Sequence, residues 1–203
     1  MLNKRKKTEA IEIFKQCGIE NPKKTFGAQL DAKAENLTQL YNLTAASLHE
    51  SWRHTYAKNN RDENGIILPR WKVIKDKSFI DQLDSNNLPS NIRKIDDKYE
   101  IDIANTKYES LSSDWQRENL EAAKIASGLA IISLTIRIDL RQIGHVIHEQ
   151  WLNRNAWAKN DAVLGKNFDD LPLEEKDKDV VQFLIAKELF HEIILKDINL
   201  LER

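Results

Sequence analysis

Apolar residues along this chain recur mostly at three- and four-residue steps, the period that places side chains on one face of a helix. The clearest run is Leu37, Leu40, Tyr41, Thr44, Leu48, Trp52 and Tyr56, which predicts a long helix opening near Asp31 or Asn36 and ending near Lys58. A shorter helix is expected from Thr8, whose hydroxyl suits the free N–H groups of a first turn, to Gly18. Its inner face is Ile11 and Phe14, joined by Ile13, and Asn21-Pro22 breaks the chain after it. Ser112 or Ser113 is placed to cap a third helix, with Asp114 and Glu118 near its positive end and Leu120, Ala123, Ile125, Leu129, Ile131 and Ile132 as its buried body. A fourth is expected over Asp139–Lys159, presenting Leu140, Ile143, Ile147, Trp151 and Trp157. The last opens at Pro172, in a first turn where a missing N–H costs nothing, and runs through Leu189 to about Leu195.

Between the second and third helices the pattern changes. Asn59–Gly65 is rich in turn-forming residues, and Ile66–Leu68, Trp71–Ile74 and Tyr99–Ile103 are short apolar or β-branched runs that predict a hairpin or three-stranded ribbon. Asp84–Asn91 is polar and turn-forming and predicts a surface loop. Six glycines and four prolines in 203 residues leave long helices dominant and make a glycine-rich phosphate loop unexpected.

Composition narrows the class of protein. A chain of this length, 41% apolar and 31% charged, supports one sizeable domain or two small modules. Its 31 Lys and Arg against 32 Asp and Glu create no general field toward nucleic acid or an anionic membrane, so neither is an expected partner and any basic site is local. The longest uncharged stretch, Ile125–Ile136, falls short of the roughly 20 residues of a membrane helix. A single cysteine, Cys17, excludes an internal disulfide and a Cys-rich zinc site, which predicts a reducing, cytoplasmic setting. Thr8–Phe14 alternates charged with apolar residues and so is not the core of an export signal.

A repeat carries more information than any of this. Leu48-His49-Glu50-Ser51-Trp52-Arg53 matches Ile147-His148-Glu149-Gln150-Trp151-Leu152, both on predicted helices. Downstream of each comes an aromatic, two polar residues and a leucine that lead into a charged helix: Tyr108-Glu109-Ser110-Leu111 and Phe168-Asp169-Asp170-Leu171. From His49 to Leu111 is 62 positions and from His148 to Leu171 is 23, so the first copy holds roughly 39 additional residues, which include the predicted strands.

His-Glu-x-Trp on a helix, followed by aromatic-Asp-x-Leu-Pro-x-x-Glu-Lys at the start of another, resembles the ryanodine-receptor-repeat (RyR) domain. That repeat occurs in pairs in ryanodine receptors and as small free-standing bacterial and phage proteins. The second copy, His148–Trp151 with Phe168–Asp179, is the closer match, and the first is divergent. Neither connection shows the Gly-Trp-x-Tyr-Gly-like segment usual in the family, although Pro69-Arg70 with Lys72 stands where the charged loop of the first copy would fall. The resemblance spans about Leu37–Leu195. It implies a mainly α fold of two helix-connection-helix repeats related by pseudo-two-fold symmetry, with a small β insert at about 60–105. The segments are then an N-terminal helical extension (1–35), the first repeat (36–136) and the second (137–203), the two repeats forming one compact domain.

His49 and Trp52 share a helix face, as do His148 and Trp151. Two such faces around one cleft would offer indole walls, on which base rings stack for roughly 1–3 kcal/mol each. Arg53, Arg70, Lys72 and Arg154 would supply charge for phosphate, arginine in bidentate geometry. These eight residues are the candidate ligand contacts. Core packing is the competing role for both tryptophans, and a bond to Glu or backbone the favoured one for both histidines. His145, His148 and Glu149 have helical metal-ligand spacing but lack a third strong ligand, and Asp169, Asp170, Glu174 and Glu175 fit a helix start better than a catalytic pair. Cys17 has no evident His partner, and no nucleophile elbow, Walker loop or dinucleotide fingerprint is present.

Three functions follow as expectations. The first is a non-enzymatic module binding a small molecule, a nucleotide or nucleotide-derived signal, without a resident cofactor or metal. The second is a scaffold domain meeting a protein partner through its helices or strand-bearing insert. The third is an enzyme acting on a nucleotide or its ribose through the duplicated His-Glu pairs.

Overall fold

The computed structural model describes residues 34–134 and 136–195. The described chain is mainly helical with one small sheet. In order, it forms α1 (Ala34–Asn59), β1 (Trp71–Val73), a single turn α2 (Lys77–Ile80), β2 (Ile92–Ile95), β3 (Lys98–Asp102), α3 (Ser113–Ile132), α4 (Leu140–Arg154) and α5 (Leu173–Phe190). Short 3-10 turns cover Tyr108–Ser110, Ala156–Asn160 and Phe168–Asp170, and a π turn follows α5 at His191–Leu195. The helix expected at Thr8–Gly18, the Asn21-Pro22 break, Cys17 and the 1–33 part of the N-terminal extension lie outside the described residues. Among those described, no helix is long and apolar enough to cross a membrane.

By contact, residues 34–44 and 122–195 belong to one unit and Ala45–Glu121 to another. That division cuts through α1 and α3, whereas the 36–136 and 137–203 segments follow the motifs.

The helical unit is built on Leu40, Ile125, Leu129, Ile132, Ile143, Ile147, Phe183 and Phe190, all buried, with Ala126, Ala130 and Ala186 as the small residues among them. Each fully buried Leu, Ile or Phe contributes about 1.5–3 kcal/mol. Asp139 starts α4 with a reciprocal cap: its carboxylate accepts the Gln142 N–H at 2.7 Å, and Gln142 Oε1 accepts the Asp139 N–H at 3.2 Å. The helix expected to reach Lys159 stops at Arg154. Asn155 leaves helical geometry (φ −116°, ψ 64°) with its amide donating to the Trp151 carbonyl, and a separate turn follows. Trp157 therefore leaves the buried face and is 60% exposed. Pro172 occupies the residue before the first turn of α5 rather than a place within it.

The sheet-bearing unit packs one sheet face on its core. Strand order is β1-β3-β2, antiparallel throughout, with Lys72 opposite Ile101 and Ile92 opposite Ile101 on the other side. Alternation therefore puts Ile74, Ile92, Ile101 and Ile103 on one face, where Leu111 joins them and Trp52, Tyr99, Tyr108 and Trp115 pack around the cluster. The opposite face carries Trp71, with the Arg93 guanidinium 4.2 Å from its ring centroid, and Arg93 in turn pairs with Glu100. A two-residue loop joins β2 to β3, Asp96 taking the left-handed backbone (φ 51°) that Asp tolerates better than most residues.

Two expectations need correction in this unit, and one strand was not expected at all. Ile66–Leu68 makes only one bridge, Arg61 to Ile67, because the Asp62 carboxylate holds the Asn64 and Ile66 N–H groups in a turn. Ile92–Ile95, adjoining the expected surface loop, is a strand. The cap of α3 comes from far along the chain: Asp76 accepts the Ser113 N–H and hydroxyl, while the buried Ser112 hydroxyl has no hydrogen-bond partner. These donors hold the Asp76 carboxyl well below the usual carboxylate range. Asp114 answers by accepting the Lys75 N–H at 2.9 Å.

Candidate ligand-binding surface

In the sheet-bearing unit the site begins with Asp102, at the end of β3. Its buried carboxylate accepts the backbone N–H groups of Arg70 and Ala104 and the Asn105 amide at 2.7–3.1 Å. The Thr106 hydroxyl donates to the Asp102 carbonyl, which closes the turn. This fixes two backbone carbonyls toward α1. The His49 Nε2–H donates to Thr106 O at 2.9 Å, and Arg53 Nε donates to Ala104 O at 3.0 Å while its other end holds Glu50. Burial lowers the His49 pKa, more than its bond to Thr106 raises it, so the ring is neutral at pH 7. Trp52 lies nearly parallel to His49 at 5.9 Å and to Tyr56 at 5.2 Å, and Tyr108 tilts against His49 at 6.3 Å.

The helical unit contains a local arrangement with the same dimensions. His148 Nε2–H donates to Lys166 O at 2.9 Å, Trp151 lies nearly parallel to it at 6.1 Å, and Phe168 tilts against it at 6.5 Å. Here Asp161 shapes the turn by accepting the Val163 and Leu164 N–H groups. Gly165 is obligatory in that turn, since a Cβ there would meet the Lys159 carbonyl oxygen at 2.5 Å. In both units the accepting carbonyl lies two residues before the aromatic. That aromatic opens a 3-10 turn flanked by extended residues, Lys107 and Leu111 in one and Asn167 and Leu171 in the other.

Charge separates the two. Arg70, exposed, lies over Trp52 at 5.6 Å and over Tyr56 at 5.9 Å, and Lys72, half-buried, lies over Trp115 at 5.9 Å. Among the described residues neither the Arg70 guanidinium nor the Lys72 ammonium has a hydrogen-bonding or ion-pair partner. By contrast, Arg53 holds Glu50, Arg93 holds Glu100, Arg141 holds Asp169 and Lys178 holds Glu175. Burial, and then the charge of Arg70, pull the Lys72 pKa down. In the other unit Trp151 meets Trp157 edge-on at 6.0 Å, and Arg154 donates to the Gln150 carbonyl within its own helix.

The eight expected contacts thus fall into two sets, His49, Trp52, Arg53, Arg70 and Lys72 in one unit and His148, Trp151 and Arg154 in the other. His49 and His148 are 3% and 5% exposed and hold backbone carbonyls; both tryptophans are half-buried. The expected ligand spacing of His145, His148 and Glu149 is resolved into different contacts: His145 faces Asp169 at 3.1 Å and His148 faces Lys166 and Asp179. Among the described residues no group of three His, Cys, Asp or Glu is placed to hold a metal ion. Tyr56 and Trp115 were not among the expected contacts. Tyr56 was legible as the next residue on the Trp52 face, but Trp115 is brought to β1 by its indole N–H, which donates to Val73 O at 3.1 Å across 42 positions of sequence.

Compared with family models, with curated proteins and with solved structures, the chain has no significant match.

Proposed function

We propose that the chain is a non-enzymatic small-molecule binding module of two RyR-like repeats whose ligand carries an aromatic ring and phosphate, as a nucleotide or nucleotide-derived signal does. The observation that carries this reading is the pair of unneutralised cations, Arg70 and Lys72, set against Trp52, Tyr56 and Trp115. An arginine plane stacked on indole presents N–H donors for phosphate and a flat surface for a base at once. Lys72 adds a second charge two residues along the same extended segment. The matching His-Trp-aromatic geometry of the two units supports the repeat. His49 and His148 then act as struts behind the tryptophans, and the duplicated His-Glu pairs do not work as acid–base couples.

The test is a thermal-shift screen against adenine and guanine nucleotides, cyclic and NAD-derived nucleotides and divalent metals, since a ligand that binds only the folded state raises its stability. A nucleotide should raise the melting temperature of the unaltered protein and lose that effect in folded Arg70→Ala and Lys72→Ala variants. A shift that survives both substitutions removes this site, and a flat response across the panel removes the nucleotide class. The scaffold reading has one observation in its favour: Ile66 and Leu68, in the loop before β1, are 64% and 43% exposed. A partner chain recovered by the unaltered protein and lost on Ile66→Ser would favour it.

A further inference from the structure

The buried pair His148 and Asp179 lies away from the cations and does not depend on the ligand reading. His148 is on α4 and Asp179 on α5, their side chains 6% and 11% exposed, with His148 Nδ1 3.3 Å from Asp179 Oδ2. The other ring nitrogen is committed: Nε2 is 2.9 Å from the Lys166 carbonyl oxygen, which can only accept, so Nε2 carries a hydrogen. A neutral ring of that tautomer points the Nδ1 lone pair at the carboxyl oxygen. If Asp179 were also ionised, two lone pairs would face each other with little solvent to separate them. One proton resolves the conflict, as a carboxyl O–H donating to Nδ1 or as an imidazolium N–H donating to carboxylate.

We propose that His148 and Asp179 share one proton near neutral pH, and that this makes the helical unit less stable as pH rises. The charged groups around the pair are Glu175 and Lys178 on α5 and Arg154 on α4, with the Gln182 amide 3.5 Å from Asp179 Oδ1. Burial, reinforced by Glu175 and opposed by Lys178 and Arg154, pushes Asp179 up to about 7 from an ordinary 3.8. Above the ordinary histidine value of about 6.5 the unfolded chain has released the protons of both groups while the folded pair keeps one, so stability falls with rising pH until the pair lets go, by up to about tenfold in the folding constant per pH unit. The sheet-bearing unit lacks the device. Asn119 lies 11 residues after Tyr108 as Asp179 lies 11 after Phe168, and its amide donates to the Trp115 carbonyl.

Thermal unfolding of the unaltered protein and of Asp179→Asn, between pH 5.5 and 8.5, tests this. An asparagine amide can donate to Nδ1 at every pH, so the unaltered protein should lose melting temperature relative to the variant as pH rises. Parallel profiles would overturn the proposal. Nitrogen NMR of the His148 ring in the unaltered protein reads the proton directly, even if the variant does not fold. Nε2 should stay protonated throughout while the pair releases one proton within this range. A bare Nε2, or no proton released, would overturn it.

Discussion

The two His-Trp-aromatic arrangements differ most in how deeply the aromatic sits. Phe168 is 5% exposed, whereas Tyr108 is half-buried with its hydroxyl 3.5 Å from the Gln116 carbonyl. Four residues before the histidine, the helical unit has Gly144 and the sheet-bearing unit has Ala45. A Cβ at Gly144 would stand 2.1 Å from the tip of the Phe168 ring. Glycine therefore lets an apolar ring settle directly on the helix backbone, and His148, which that ring tilts against, also faces the buried Asp179. The same local frame supports two designs. One is a closed core with a titratable pair inside it, and the other is a looser core carrying two open cations on its rings.

The largest expected difference between the designs comes from deleting those rings. Phe168→Ala should destabilise the helical unit by about 3–5 kcal/mol, the cost of losing a buried phenyl group and leaving its cavity. Tyr108→Ala should cost clearly less, because part of its ring already meets water. Denaturant unfolding of both variants measures this, and equal losses would mean that the two aromatics hold equivalent positions despite their exposure.

Next come the aspartates that shape the two turns. Asp102 is 4% exposed and satisfies three donors, two of them backbone N–H groups, so Asp102→Ala should cost about 2–3 kcal/mol. Asp161 is exposed and water can replace its carboxylate, so Asp161→Ala should cost less. If the order were reversed, the shorter connection would be the more strained of the two and would need its aspartate more.

Much of this was legible in the sequence, and what was not has a common cause. The helical period gave α1, α3, α4 and α5 their approximate places because each buries one stripe against a core. The duplicated His-x-x-Trp spacing located both struts, since three residues on a helix is a fixed distance. What local pattern could not reveal were contacts between residues far apart along the chain. Asp76 capping α3, Trp115 reaching Val73 and Asp102 holding the Arg70 N–H each join residues more than 30 positions apart. The end of α4 was misplaced because Trp157, six residues past Trp151 and so off its face, was counted with the helix, while Asn155 ends the helix with a side-chain bond to the Trp151 carbonyl. Asp179 stands in an alternating charged run, Lys176-Asp177-Lys178-Asp179, a pattern usual on solvent-facing helix surfaces, and nothing local in it marks the one carboxylate that faces His148.

The smallest and most discriminating effect is expected from exchanging the small helix residues. Gly144→Ala gains roughly 1 kcal/mol of helix propensity, since glycine in a helix interior carries that entropic cost. Against it stands a methyl group where the Phe168 ring now lies, with Cζ, Cε2 and Cε1 all within 2.8 Å of the new Cβ. The ring cannot simply swing away, because it is buried, and overpacking of this kind costs about 1–3 kcal/mol. The net loss should be up to about 2 kcal/mol, accompanied by a change in the ring-current shifts of His148, which Phe168 tilts against. Ala45→Gly should lose about 1 kcal/mol through propensity without a matching shift at His49. If Gly144→Ala were instead stabilising and left the His148 shifts unmoved, the ring would be free to retreat, and the closed character of this half would owe nothing to its glycine.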